Sequence, residues 1–268
     1  SLPWPVNLIL LDDADLGPDG TARLGGRRAA HVVEVLRKGP GDCLAVGRLG
    51  GELGMGEVVA LEPGAVTLRL SLHRPPPPPS PLELVLGMPR PKILRRVLQA
   101  TAAMGVKRLV LLGSWRVEKS YFASPLLEPA ALQAELRLGL EQGRDTRLPE
   151  VLVRRLFKPF VEDELDGLFG GRQRLLADPG AEAPLEALAP GGSRAVLAVG
   201  PEGGFTRHEA ESLAGRGFRC FSLGPRPLRV DAALAFAAGQ VELWLRSGAG
   251  GAARRGAAAD PSPAAPRP

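Results

Sequence analysis

Residues Ala195–Leu234 read AVLAVGPEGGFTRHEAESLAGRGFRCFSLGPRPLRVDAAL, and their punctuation decides the fold. The stretch opens on an apolar run, Ala195–Val199, bounded by turn residues as a buried strand should be. Gly200-Pro201-Glu202-Gly203-Gly204 follows as a corner. Thr206 and Glu209 then stand at capping-box spacing, so a helix starts there. A second strand, Phe218–Ser222, runs into another irregular corner, Leu223-Gly224-Pro225-Arg226-Pro227-Leu228-Arg229. Asp231 can then cap a final helix. In open parallel sheets ligands sit beyond the carboxyl ends of the strands, where such corners lie.

The first corner is neither a dinucleotide fingerprint, because G-x-G-x-x-G is absent, nor a P-loop, because no Gly-Lys-Ser/Thr follows. Without a Cβ, Gly203 and Gly204 either let backbone approach a ligand or simply make a tight turn. Taken together, GPEGGF at 200–205 and LGPRPLRVD at 223–231 resemble the paired signatures of the RsmE family, ribosomal RNA methyltransferases of the SPOUT class. The resemblance implies S-adenosylmethionine as methyl donor and N3 of a uridine in 16S rRNA of the small ribosomal subunit as acceptor. It also implies a homodimer and an α/β fold: a SPOUT-type parallel sheet with a C-terminal trefoil knot, preceded by a small PUA-like β-barrel. General folding rules disfavour knots, so the knot rests on the resemblance alone.

By the same resemblance, the cofactor pocket is expected from Leu197, Gly200, Pro201, Glu202, Gly203 and Gly204 on one corner and Leu223, Gly224 and Leu228 on the other. Glu202 either bonds ribose hydroxyls or braces its loop. Uracil N3 is a poor nucleophile while protonated, so its proton must leave and charge develops on the carbonyl oxygens. Arg229 is the cation expected to stabilise that charge. Asp231 either orients Arg229, acts as base, or is a plain helix cap. The family writes this segment L-R-T-E-T-A. Here it is Leu228-Arg229-Val230-Asp231-Ala232-Ala233, with the acid one methylene shorter, two hydroxyls absent, and Pro227 in place of an aliphatic residue. Two other readings are a SPOUT methyltransferase acting on another RNA, and a non-catalytic RNA-binding or ribosome-assembly factor.

The chain has 268 residues, 44% of them hydrophobic, enough for one large domain or two modest ones. No run of about 18 apolar residues predicts a membrane span. The segment SLPWPVNLILLDDADLG lacks a basic n-region, which argues against a secretory signal, and a cytoplasmic location is expected. Cys43 and Cys220 have no metal-ligand spacing, so no metal is expected; both read as buried free thiols in a reducing compartment. The net charge of +5 is weak evidence for a nucleic-acid partner, because residues 1–80 carry eight basic and nine acidic side chains.

Residues 1–73 predict a small β-rich domain, with short strands at Val6–Leu10, Cys43–Gly47, Met55–Ala60 and Ala65–Leu72 and a helix at Ala29–Leu36. Within it, HVVEVLRKGPGD at 31–42 matches the family's amino-terminal motif H-x-x-x-V-L-R-x-x-x-G-D. That implies RNA contacts from Arg27, Arg37 and Lys38, through phosphates or by guanidinium stacking. The alternative is that Arg37 and Asp42 pair to hold a turn. His31 reads as a structural residue. The run RPPPPPSP at 74–81 is a stiff linker.

Residues 82–246 predict the methyltransferase domain. Leu82–Met88 and Lys107–Leu112 are strands, and Lys92–Val106 is an amphipathic helix between them. Lys92 is a candidate RNA contact. So are Arg116 and Ser120 in the loop SWRVEKSY at 114–121, whose Trp115 either stacks on a base or packs beneath the loop. A helix at Ala130–Arg144, a strand at Val151–Phe157, a helix near Val161–Leu168 and a strand at Arg174–Asp178 follow. From 247 to 268 the sequence is mostly Gly, Ala, Arg and Pro, and a disordered tail is expected.

Overall fold

A computed structural model describes the backbone of residues 8–257 and the side chains of residues 8–248, and its strands fall into two sheets. The first is built from β1 (Leu8–Leu11), β2 (Thr21–Gly25), β3 (Cys43–Arg48), β4 (Leu53–Glu62) and β5 (Ala65–Arg74), in the order β1-β3-β4-β5-β2. It is mixed: β1 runs parallel to β3, and β3–β4, β4–β5 and β2–β5 are antiparallel. Strand β2 lies beyond what the sequence predicts. Its signal is a short alternation in which Ala22 and Leu24 are buried and Arg23 is exposed, too brief to stand out from the surrounding turns. The core joins Ile9, Leu11, Ala22, Leu24, Leu44, Val46, Val58, Val66 and Leu68 to Val32. Val32 comes from helix α1 (Gly26–Ala30) and the π-helical turn His31–Val35 that continues it.

The prolines at 75–79 form no regular element. Arg147 donates to the carbonyls of Pro76 and Pro77, and the Ser80 N–H donates to the Gly105 carbonyl. Helix α2 (Pro91–Ala103) opens on a proline at its first position, stops short of the expected Val106, and buries Leu94, Val97, Leu98, Thr101 and Ala102. Helix α3 (Pro129–Gly143) ends where Arg144 turns left-handed.

The second sheet contains β6 (Leu82–Gly87), β7 (Arg108–Leu112), β8 (Glu150–Arg154), β9 (Gln173–Ala177), β10 (Ala195–Val199) and β11 (Arg219–Phe221), in the order β11-β9-β10-β6-β7-β8. Strands β6 and β9 flank β10 in parallel, and β11 continues parallel beside β9. Every residue of β6 and β10 is buried, the signature of parallel strands covered on both faces. The one acid in β6, Glu83, is neutralised by an ion pair with Arg172. Residues 157–168 coil as α4 (Phe157–Pro159), a π-helical turn (Phe160–Glu164) and α5 (Leu165–Leu168). Helices α6 (Arg207–Gly215) and α7 (Val230–Ala257) complete the fold, and α7 packs against β10 and β6.

By contact density the chain divides into two units. One holds the residues up to Ser80 with Arg90–Leu109 and Lys119–Leu152; the other holds Pro81–Pro89, Val110–Glu118 and everything from Val153. Two expectations change. Helix α7 continues past Ser247 to Ala257, because alanine, the best helix former, alternates there with the glycines; residues 258–268 lie outside the description, as do the side chains of Arg254 and Arg255. Cys43 is exposed at the first position of β3, and Cys220 is only partly buried. Among the described residues no helix is long and apolar enough to cross a membrane.

Candidate functional site

The register of the second sheet brings the two corners to one edge. Val199 at the end of β10 and Phe221 at the end of β11 are both level with Ala177 of β9, on its two sides. Two strand spacings separate them, about 9.5 Å. Both strands are parallel to β9, so both corners leave from the carboxyl end of the sheet, and Leu86 of β6 is level with Val199 there.

The first corner is tightly knit. Gly200 and Pro201 are buried, Glu202 and Gly203 are exposed, and the Gly204 N–H closes the turn onto the Pro201 carbonyl at 2.7 Å. The approach is too close for side chains: a Cβ on Gly200 would lie 2.6 Å from the Phe205 nitrogen, and one on Gly87 would enter the ring of Pro201. The predicted capping box is present. The Thr206 N–H donates to Glu209 Oε2 at 2.8 Å, and the Glu209 N–H donates back to Thr206 Oγ1. Glu209 is only 5% exposed, and its second oxygen accepts the Trp115 backbone N–H at 2.8 Å. Arg116 donates to the Gly203 carbonyl. The Phe157 and Phe205 rings meet at 5.9 Å. One buried carboxylate and one arginine thus tie the loop after β7 to the corner after β10. Spacing predicts the cap; the tie spans ninety-odd residues of chain and has no local signal.

The second corner is open. Residues Gly224 to Arg229 are all exposed, while Leu223 is partly buried. Gly224 has φ +104 with nothing within 4 Å of its Cβ position, and its N–H donates to Ser222 Oγ. Arg229 is 71% exposed along its side chain, and its Nη2 lies 3.3 Å from Asp231 Oδ2. The Ala233 N–H donates to the Arg229 carbonyl at 2.7 Å, so Arg229 occupies the helix cap and Asp231 lies inside the first turn of α7. Asp231 is therefore not the cap that the sequence predicts. The helix begins at Val230, two residues earlier than a cap at Asp231 would place it, which leaves this carboxylate facing Arg229.

Of the RNA-contact candidates, Arg116 belongs to the first corner. Arg27, Arg37, Lys38, Lys92 and Ser120 fall in the other unit. Arg27 lies 3.6 Å from Glu141. Arg37 is exposed with φ +52, and Asp42 accepts the Gly39 N–H, so the turn is held by Asp42 and the backbone and not by an Arg37–Asp42 pair. Lys92 and Ser120 are exposed and Lys38 is half-buried. Trp115, for which the sequence allows either stacking or packing beneath the loop, is 87% exposed.

That other unit also holds a cavity of about 220 Å³ lined by Asp12, Gly25, Arg27, Arg28, Arg137 and Glu141. Its charges answer one another. Arg137 forms a two-pronged pair with Asp12, and Arg28 forms one with Asp15. Arg137 holds the Asp12 carboxyl below its ordinary pKa, and Asp15 raises that of Arg28. The three lining arginines are offset by Asp12, Glu141 and the adjoining Asp15, and the lining contains no corner residue. The corner edge fits an adenosine-bearing cofactor better. It offers bare backbone, open space beside Gly224, and a hydroxyl, Ser114 Oγ just after β7, that is shielded from solvent and has no partner among the described residues.

Comparison with known proteins gives one consistent result. The model of a family described as an RNA methyltransferase domain matches residues 76–242. Ribosomal RNA small subunit methyltransferase E of Treponema pallidum (strain Nichols) is 30% identical over 250 residues, covering 90% of this chain and 94% of that protein. Ribosomal RNA small subunit methyltransferase E 1 of Borreliella burgdorferi is 24% identical over 213 residues, covering 78% of this chain and 87% of that one. Among solved structures, a ribosomal RNA small subunit methyltransferase E from Neisseria gonorrhoeae bound to S-adenosyl methionine matches with a TM-score of 0.69 at 21% identity, covering 90% of this chain and 98% of the other. A probable rRNA-methyltransferase from Porphyromonas gingivalis matches with a TM-score of 0.68 at 19% identity, covering 90% and 99%.

Proposed function

The chain belongs to the RNA methyltransferase family that includes ribosomal RNA small subunit methyltransferase E, and from that premise we propose that it methylates N3 of a uridine in 16S rRNA, with S-adenosylmethionine as donor. When bound, this cofactor supplies a methyl group already activated on a sulfonium. What carries the reading within the chain is the shared level of Val199 and Phe221, which opens both signature corners on one edge of the sheet.

The corners divide the work. Backbone of Leu197–Gly204 and of Leu223–Leu228 lines the cofactor site. Gly203 and Gly204 present bare backbone beside the Arg116 side chain on one side, and Gly224 leaves open space on the other. Arg229 meets the charge that develops on the uracil oxygens as N3 loses its proton, and Asp231 holds the guanidinium in place. This is an in-line displacement, so the protein's task is to place donor and acceptor in attack geometry. Lys92, Arg116, Ser120, Arg27, Arg37 and Lys38 bind the RNA. The mixed sheet of residues 8–74 is a PUA-like domain, and the enzyme works as a cytoplasmic homodimer without a metal. A trefoil knot at the carboxyl end belongs to the same reading. Its support is that α7 leaves the edge strand β11 yet packs back on β10 and β6, across β9.

The test is direct. Purified protein, small ribosomal subunits and S-adenosylmethionine should yield 3-methyluridine in digested 16S rRNA by mass spectrometry, and Arg229→Ala should not. Calorimetry should detect cofactor binding by the wild type and none by Gly203→Trp, whose side chain must displace Arg116; a Cβ there is already 3.0 Å from Arg116 Cδ. A wild type that neither binds the cofactor nor methylates overturns the proposal in favour of an RNA-binding assembly factor.

A further inference from the structure

We propose that Trp115 is a stacking platform for an unpaired base of the RNA. The inference rests on the RNA-substrate reading above and adds a residue that neither motif contains. The two tryptophans with described side chains contrast sharply. Trp244 is buried, and its indole N–H donates to the Leu188 carbonyl at 2.7 Å, the usual arrangement for an aromatic with one polar atom. Trp115 is 87% exposed and its indole N–H has no acceptor among the described residues.

The loop that carries Trp115 is held on three sides. The Val117 N–H donates to the Ser114 carbonyl, closing a turn with Trp115 and Arg116 at its centre. The Trp115 N–H is fixed by buried Glu209, and Arg116 by the Gly203 carbonyl. The strand end beneath is fixed as well, because the Gly113 N–H donates to the Arg154 carbonyl at 2.7 Å. With its backbone anchored this way, the loop displays the indole to solvent.

Its surroundings select the occupant. Arg116 is its chain neighbour, Arg207 is two residues from the Glu209 that anchors it, and Arg155 follows the Arg154 that anchors Gly113. All three arginines are exposed. A lone exposed indole in a loop flanked by arginines, one of them paired with Glu211, suits a base with its phosphates better than the broad apolar core of a protein interface. A planar π-face takes any base, so Trp115 contributes binding, and choice of the uridine lies elsewhere.

The experiment compares wild type, Trp115→Phe and Trp115→Ala. The probes are oligouridylate, titrated by fluorescence anisotropy of a label on the RNA, and small ribosomal subunits in steady-state methylation. The Ala variant should bind oligouridylate about ten-fold or more weakly and raise KM for subunits by a similar factor, with kcat within about two-fold. The Phe variant should recover most of the binding. Cofactor affinity by calorimetry should not change in either, which reports an intact fold. RNA affinity and KM equal to wild type in the Ala variant would overturn the inference. So would a change in sedimentation with RNA affinity retained, because the indole would then belong to an interface between copies of the chain. If the wild type transfers no methyl group, the functional reading fails while the oligouridylate titration still tests Trp115.

Discussion

The corners after β10 and β11 leave the same edge of one sheet, but they are built in opposite ways. The first is satisfied from within: buried Gly200 and Pro201, a closed turn, a complete capping box, and Glu209 and Arg116 reaching across to the loop after β7. The second, from Gly224 to Arg229, is exposed throughout, and apart from the Gly224 N–H it is tied down mainly at the helix cap and by the Arg229–Asp231 pair. A corner that holds itself stabilises the fold and presents a fixed wall. A corner that leaves its groups in solvent contributes little to stability and keeps them for something that binds. Substitutions should therefore separate cleanly, with stability lost in the first and activity lost in the second.

The largest effect tests the second half of that division. Arg229→Ala should reduce methyl transfer by about 10²–10³-fold, the usual cost of removing a group that faces developing charge. The melting temperature should stay within about a degree, because exposed side chains of this kind stabilise little. Equal losses of stability and activity would break the comparison. In the first corner, Gly200→Ala drives a methyl group onto the Phe205 backbone nitrogen. Overpacking of this kind costs about 1–3 kcal/mol and should appear as a lowered midpoint in urea denaturation. Glu209→Gln keeps the shape but removes the charge that serves Thr206 and Trp115. A loss of about 1–2 kcal/mol in the same assay is expected, the range of a helix cap and a buried bond.

How far the sequence could be read follows the same division. Strands β6 and β10 and the stripe on α2 declare themselves because fully buried parallel strands are nearly continuous apolar runs and a helix against a core repeats its apolar positions. The capping box is legible for the same reason: Thr206 and Glu209 are three residues apart. Links between distant segments carry no such mark. Nothing around Glu209 announces that its second oxygen takes the Trp115 N–H, and nothing around Arg116 announces the Gly203 carbonyl. The exposure of Trp115 is likewise invisible, since a tryptophan in a polar loop serves equally as a buried peg or a displayed ring. Asp231 misleads because helix starts shift by a residue or two, and here a two-residue shift turns an expected cap into a partner for Arg229. The corners themselves are legible by likeness to a family; spacing alone makes them two glycine-rich turns.

Smaller effects sharpen the contrast. Gly224→Ala meets no atom, so its cost is only that of holding a left-handed φ with a side chain, about 1 kcal/mol. That is less than Gly200→Ala should cost, although Gly224 has the more unusual backbone. Calorimetry should still detect weaker cofactor binding by Gly224→Ala, because the added methyl group occupies space that the open corner leaves free.

The smallest effect reads the second corner without disturbing it. Cys220 lies in β11 immediately before that corner, and burial, with help from Asp178, pushes its thiol above the ordinary value of 9.0. Only the thiolate attacks alkylating reagents, and a raised pKa keeps the thiol protonated to higher pH. In a Cys43→Ser background, which removes the exposed competitor, labelling by iodoacetamide should be slow at pH 8 and should accelerate only as the pH rises past 9.0. Unfolding in urea should bring the rate up to that of a free cysteine at either pH. If the corner closes over bound cofactor, S-adenosylmethionine should slow the alkaline labelling further, whereas the rate should be unaltered if the cofactor sits against the first corner alone. Fast labelling at pH 8 in the native protein would mean that the end of β11 opens readily, and the difference between the two corners would then extend into the strand that carries the second one.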